Sequence, residues 1–235
     1  MKLPINPAVK KETCKEHGEY ESKNVLGKIW TKCPACTSKE IESDKRAEWV
    51  KKITKAGIDK RFHGSTFNTY VADTKEQKEA LASAIAFADS YPSIRRQWHP
   101  MAFLGSPGCG KTHLAASVAI RVLNKHNGGV LMAKASSIAS AVKETFSTNK
   151  SEASVIERYS CVGLLIIDEV CESLSDFDKR VLFDVIDKRY SLELPMIIIS
   201  NLEADDFKEV VGERSYDRLR ENHVYVAFCW ESHRS

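Results

Sequence analysis

GSPGCGKT, residues 105–112, fits the pattern G-x-x-x-x-G-K-[ST], and the reading of this octapeptide decides the fold. Glycines at 105, 108 and 110 let a chain curl so that backbone N–H groups converge on phosphate oxygens, and a helix opening at the end of such a loop adds its positive N-terminus. Gly105, Ser106, Pro107, Gly108, Cys109 and Gly110 would form the cradle. Lys111 would reach the β- and γ-phosphates, and the Thr112 hydroxyl would ligate Mg²⁺. A merely structural Gly-rich turn is the competing account, and the flanking sequence argues against it. MAFLG (101–105) predicts a short buried strand, and Lys111–Asn127 a helix with Leu114, Ala115, Val118 and Val122 on its inner face.

The same alternation extends outward. Helices are expected over Lys75–Ser90, Ser136–Thr148 and Asp176–Leu192, and strands over 129–135 (GVLMAKA), 162–170 (VGLLIIDEV) and 195–201 (PMIIISN). Continuous apolar runs suit strands buried on both faces. Strands alternating with helices predict an α/β fold, a parallel sheet flanked by helices.

Two of those strands end in chemistry. Asp168 stands at the mouth of LLIIDE, where it would hold Mg²⁺ through water, and Glu169 beside it would polarise an attacking water. A solvated strand end is the plainer account of two acids, but it does not explain their pairing with a phosphate loop. Asn201, closing PMIIISN, is either a γ-phosphate sensor or the N-cap of the following helix; the two roles are compatible. In GERSYDRLREN, Arg214 and Arg218 lie one helical turn apart, with Arg220 close by. Guanidinium suits the charge that develops in phosphoryl transfer, while pairing with surface acids is the plainer alternative.

GSPGCGKTHLA (105–115), LLIIDE (164–169), IIISN (197–201) and GERSYDRLR (212–220) occur in an order and spacing similar to those of the DnaC/IstB-like AAA+ ATPases. AGIDKRFHGSTFNTY (56–70) and FCWESHRS (228–235) resemble the DnaC type, the bacterial and phage replicative helicase loaders. The resemblance spans residues 56–235. It implies an AAA+ P-loop NTPase fold, ATP with Mg²⁺ as ligands, and head-to-tail self-association in which an arginine enters the neighbour's ATP site. Matched residue by residue, that arginine is Arg218, with Arg214 second, and Arg234 matches the sensor-2 arginine. A full helical lid is not expected after it.

Contact with single-stranded DNA is implied too, through Phe146 in VKETFST, where an aromatic can stack on a base. Phe146 also continues a core-facing stripe with Ile138 and Val142. Set against the resemblance, the family's other contact positions are replaced around Asp176–Asp178.

The first 61 residues carry fifteen Lys/Arg against nine Asp/Glu, whereas the remainder carries twenty against twenty-three. The excess positive charge thus sits at one end and suits an anionic partner, though a solvated surface is the commoner cause of such a cluster. Within it, Cys14-x2-His17 and Cys33-x2-Cys36 form two chelating pairs with the donors that tetrahedral Zn²⁺ prefers. The phrase resembles a zinc ribbon or knuckle, and a closed four-ligand site would be structural. Seven cysteines, an odd number, and no secretory h-region argue against a disulfide framework. Cys161, Cys171 and Cys229 are expected to be packing residues. No run approaches a membrane span, so the protein is expected to be cytoplasmic with no membrane partner.

The expected organisation is a zinc-ribbon-like module at 1–37, a charged linker or partner helix at 38–57 with Trp49, Ile53 and Ala56 on one stripe, and an AAA+ domain at 58–235. The best-known loaders carry a helical helicase-gripping segment in place of this metal set. Either the module docks on a helicase or it helps to hold DNA. The functional expectation is an ATP-dependent loader placing a DnaB-type replicative helicase on single-stranded DNA in replication, with weak, partner-stimulated hydrolysis of ATP. The alternative is an IstB-type transposition helper acting on duplex DNA and a transposase. A zinc-centred nucleic-acid-binding protein with a vestigial ATPase ranks last, since Lys111, Thr112, Asp168 and Glu169 are intact.

Overall fold

The computed structural model describes residues 8–25, 28–149 and 151–232. The chain divides into two compact units, 1–52 and 53–235.

The first unit holds an antiparallel sheet of strands β1 (Val9–Cys14), β2 (Gly18–Val25) and β3 (Ile29–Trp30) in sequence order. It also holds most of helix α1 (Pro34–Lys55). That helix begins before the predicted start, so Cys36 lies in its first turn. Among the described residues 8–52 only Ser22 and Cys33 are buried. These described residues form no apolar core.

The second unit contains α2 (Lys75–Ile94), β4 (Pro100–Gly105), α3 (Lys111–Lys125), β5 (Val130–Lys134), α4 (Ala135–Lys143), α5 (Glu152–Ser160), β6 (Leu164–Val170), α6 (Asp176–Ser191), β7 (Met196–Ser200), α7 (Ala204–Val211), α8 (Glu213–Arg220) and β8 (Val224–Phe228). Its sheet has the order β5-β6-β7-β4-β8, and every pairing is parallel. β6 and β7 are buried along almost their whole length, as their unbroken apolar runs require. Strand β4 lies between β7 and β8, so the loop that follows it leaves the C-terminal edge mid-sheet, beside the ends of β6 and β7. Ligands of open α/β sheets bind at such an edge.

Several local outcomes differ from expectation. The helix expected over Ser136–Thr148 stops at Lys143 and tightens into a 3₁₀ turn over Glu144–Ser147. Phe146 therefore leaves the stripe: Ile138 and Val142 are buried, while Phe146 is 68% exposed. α2 runs on through Pro92 to Ile94, and α5 and the edge strand β8 were not anticipated. Cys161 and Cys229 are exposed and Cys171 half-buried, so the first two are not packing residues. Gly57 ends α1 at a φ of 75°, with Ile58 N–H bonded back to the Ile53 carbonyl. A Cβ there would also overlap the Met132 carbonyl, whose residue pairs through its N–H with Ala56.

Candidate nucleotide site and metal centre

A cavity of about 350 Å³ opens at the C-terminal edge of β4, β6 and β7. The structure brings together in its wall Pro107, Gly108, Gly110, Lys111 and Thr112 from the loop, Asp168 and Glu169 from β6, and Asn201 after β7. Gly108 and Gly110 have φ of 82° and 88°, the left-handed region that a side chain would strain. Lys111 opens α3 and is buried; its ammonium donates to the carbonyls of Gly105 and Ser106, both at 2.6 Å. Burial holds its pKa below the usual lysine range. Its hydrogen-bond partners are carbonyls of its own loop, which the ammonium can exchange for phosphate oxygens.

Asp168 is also buried, and burial raises its carboxyl above the usual range, against the opposing hydrogen bonds of the Glu169 N–H and the Thr112 hydroxyl. The Glu169 N–H reaches Asp168 Oδ1 at 2.8 Å. A carboxylate and a hydroxyl converging at a half-enclosed wall form a hard-oxygen pair that fits Mg²⁺. Glu169 is different in kind. It has φ 58°, costly for a non-glycine residue, at a register shift between β6 and β7 spanning Ile167 and Val170. That bulge turns its side chain out of the strand, where Oε1 meets Lys134 Nζ at 2.7 Å. Asn201 does not cap α7, whose N-cap position is Glu203; it remains exposed on the cavity wall.

Arg61, Phe62 and His113 also line the cavity, and sequence reasoning did not single them out. Arg61 and Phe62 sit in a 3₁₀ turn, Lys60–Phe62, capped by Asp59, and the guanidinium lies 4.8 Å from the Phe62 ring centre. The Asp-x-x-Phe phrase was visible, but nothing in its spacing fixes its distance from the loop.

Arg214 and Arg218 do not line this cavity. Both sit on α8 beside Asp187 of α6. Arg218 is ion-paired with Asp187 and lies against the rings of Phe183 and Tyr190, whereas Arg214, 3.8 Å from the same carboxylate, is 71% exposed. Arg234 lies outside the described residues. Phe146 makes an edge contact with Phe177, ring centres 5.9 Å apart, and Lys143 and Arg180 lie over the Phe177 ring.

In the first unit, Cys14, His17, Cys33 and Cys36 present their donor atoms within 4.8 Å of one another. Cys14 Sγ lies 3.5 Å from Cys36 Sγ and 3.6 Å from His17 Nδ1, which is 3.4 and 3.8 Å from the other two sulfurs. A tetrahedron with Zn–S of about 2.3 Å and Zn–N of about 2.0 Å has edges of about 3.5–3.8 Å. These four distances lie close to such edges, and the donor set suits one tetrahedral ion. The Glu16 backbone N–H is the largest of several hydrogen bonds that lower the Cys14 thiol to about 6. The hydrogen bond with Cys14 instead pushes the Cys36 thiol up to about 11, so a metal would have to displace the Cys36 proton.

Comparison with known proteins places the chain in a family. A family model described as IstB-like ATP binding protein matches residues 43–221. The replicative helicase loader DnaC of Escherichia coli K12 is 30% identical over 205 residues, 86% of this chain and 82% of that protein. The loader of the same name from Buchnera aphidicola of Acyrthosiphon pisum is 28% identical over 198 residues, 83% of this chain and 79% of that protein. Among solved structures, a DnaC helicase loader has a TM-score of 0.64 at 21% identity, covering 72% of this chain and 99% of that one. A structure of DnaI has a TM-score of 0.61 at 18% identity, covering 75% and 94%. The last two establish likeness of fold.

Proposed function

This chain belongs to the DnaC/IstB-like AAA+ family of ATP-binding proteins, and from that premise we propose that it is an ATP-dependent loader of a DnaB-type replicative helicase onto single-stranded DNA. The observation that carries the proposal is the 30% identity to a replicative helicase loader over 86% of the chain. The cavity with its complete set of phosphate, acid and amide groups supports it.

Lys111 would exchange its loop carbonyls for the β- and γ-phosphates, and Thr112 and Asp168 would hold Mg²⁺, which neutralises phosphate charge when bound. Glu169 would orient and polarise the attacking water once released from Lys134, and Asn201 would report the γ-phosphate. Arg218 would be the arginine offered to a neighbouring protomer, with exposed Arg214 second and Arg234 as the sensor-2 arginine. Both α8 arginines lie away from their own chain's cavity, which favours action in trans and head-to-tail assembly. Hydrolysis would be weak until DNA or partner completes the assembly. Phe146 on its charged aromatic ledge would stack on a base of single-stranded DNA, with the Lys143 and Arg180 cations near the backbone. Zn²⁺ would hold residues 1–37, and that module with helix 38–57 would contact the helicase or DNA.

Capture of a DnaB-type hexamer by the purified chain, with and without ATP, tests the proposal. Capture dependent on residues 1–56 is expected. Lys111→Ala should lose nucleotide binding, and Glu169→Gln should bind ATP without turnover. An Arg218→Ala protein that hydrolyses normally when assembled would remove the in-trans role. The family match over 43–221 favours a second reading, a transposition helper of the IstB type. Preference for duplex DNA with no helicase capture would select it.

A further inference from the structure

The segment after β8 lies along the phosphate loop. Cys109 and Trp230 are joined by two reciprocal hydrogen bonds. The indole Nε1–H donates to the Cys109 carbonyl at 3.1 Å, and the Cys109 thiol donates to the Trp230 carbonyl at 2.8 Å. Upstream, Ser106 N–H donates to the Phe228 carbonyl at 3.2 Å, continuing the pairing of Gly105 with Phe228 beyond the end of the sheet. A Cβ on Gly105 would overlap that carbonyl, and one on Gly108 would overlap the Ser232 side chain. Phe103, Phe228 and Trp230 pack in series with tilted rings, their centres 5.3 and 4.8 Å apart in turn. The loop is thus in contact with 228–232 along most of its length.

The peptide linking Cys109 to Gly110 shows what this contact does. In a planar trans peptide the C=O and the following N–H point in opposite directions. Trp230 Nε1, with the Tyr70 hydroxyl at 3.5 Å, fixes the Cys109 carbonyl away from the cavity. Gly110, but neither Cys109 nor Trp230, lines that cavity. Pinning the carbonyl on the outer side therefore aims the Gly110 N–H inward, where phosphate oxygens would sit. The Ser106 N–H, by contrast, is already used by Phe228 and is not offered to phosphate.

We propose that residues 228–232 form a strap that sets the shape of the phosphate loop, and that Trp230 is a positioning residue for phosphate binding, acting through the Cys109–Gly110 peptide. The proposal rests on ATP being the ligand of this cavity. By linkage the effect is reciprocal: if an ordered strap favours nucleotide, nucleotide favours an ordered strap.

Trp230→Phe keeps an aromatic ring and removes only the N–H donor. ATP affinity of the full chain should fall about three- to tenfold, the effect of one hydrogen bond, while turnover at saturating ATP stays as in wild type. In the unaltered protein, ATP should slow amide hydrogen exchange at residues 229–232. Unchanged ATP affinity in the variant overturns the proposal. So does exchange at 229–232 that ATP leaves untouched, a measurement that decides the matter even if the variant does not fold. Wild-type and Lys111→Ala chains that bind ATP equally would instead fail the nucleotide-site reading, a result distinguishable from an intact site indifferent to Trp230.

Discussion

The two units are held together by different physics. In residues 53–235 an all-parallel sheet is covered by helices, and β6 and β7 contribute Leu164, Leu165, Ile166, Ile197 and Ile198, all fully buried. Burial of that kind stabilises a domain without help. In residues 8–52 only Ser22 and Cys33 are buried among the described residues, and Val9, Val25, Ile29 and Ile41 are exposed. Three short strands without a core are not stable alone. What the first unit has instead is four donors at the spacing of one tetrahedral ion. With an ion bound at those donors, one chain would draw its order from two sources that respond to different insults.

Metal removal gives the largest effect. Chelation, or Cys33→Ser, should unfold the first unit, because ligand binding and folding are one event in such a module. The second unit should keep its unfolding temperature and its ATP affinity. Zinc content by atomic absorption, with circular dichroism, checks both halves. A Cys33→Ser protein that retains one equivalent of zinc breaks the comparison, and so does a chelator that melts both units together.

The next largest belongs to the second unit. Arg189 of α6 is fully buried and donates to the carbonyls of Tyr159, Ser160, Val162, Gly163 and Pro195. It ties the α5 end and the starts of β6 and β7 to one point. Arg189→Met would leave those carbonyls without the donor, costing about 3–5 kcal/mol. Urea unfolding measures it, and zinc content should not change. A loss below about 1 kcal/mol would mean that the carbonyls find other donors.

This difference also governs what the sequence discloses. The α/β core was legible because apolar runs ending in GSPGCGKT, DE and SN report burial and strand ends directly, and the structure gathers those ends around one cavity. Likewise Cys14, His17, Cys33 and Cys36 announce themselves, since short spacers pair side chains able to reach one ion, and the structure gathers all four. Arg189 was not legible: in DKRYS it looks like the helix surface, and its burial depends on loops distant in sequence. Of the two roles open to Phe146, the core-facing one fails because helical periodicity does not extend through the 3₁₀ turn. β8 and the strap went unread because VYVAF (224–228) alternates weakly and only tertiary pairing with β4 gives it a place. Arg61 and Phe62 reach the site by a turn whose position no local pattern encodes.

A smaller effect tests the α6–α8 contact. Asp187 is ion-paired with Arg218 and lies 3.8 Å from Arg214. Its side chain is 35% exposed, so solvent screens the pair, and Asp187→Asn should cost only about 1 kcal/mol of second-unit stability. ATP affinity of the isolated chain should not move, because neither arginine lines its cavity. A shift in that affinity would show that α8 already acts on its own chain's site and would weaken the in-trans role of Arg218.

The smallest effect is the sharpest test of the first unit. Lys32–Glu40 at 3.2 Å and Lys39–Glu16 at 3.5 Å connect α1 to the segments that carry the metal ligands. They are the obvious electrostatic rival to the metal as the source of order. Yet all four side chains are more than half exposed, and such pairs contribute little because water and salt screen them. Lys32→Ala with Lys39→Ala should therefore change zinc affinity by less than about twofold. Raising salt to about 1 M, where the screening length falls to about 3 Å, should leave the first unit's dichroism intact. If either treatment loosens the unit as chelation does, its order comes from the ion pairs and the metal only decorates it. If neither does, the four donors alone separate folded from unfolded in residues 8–52.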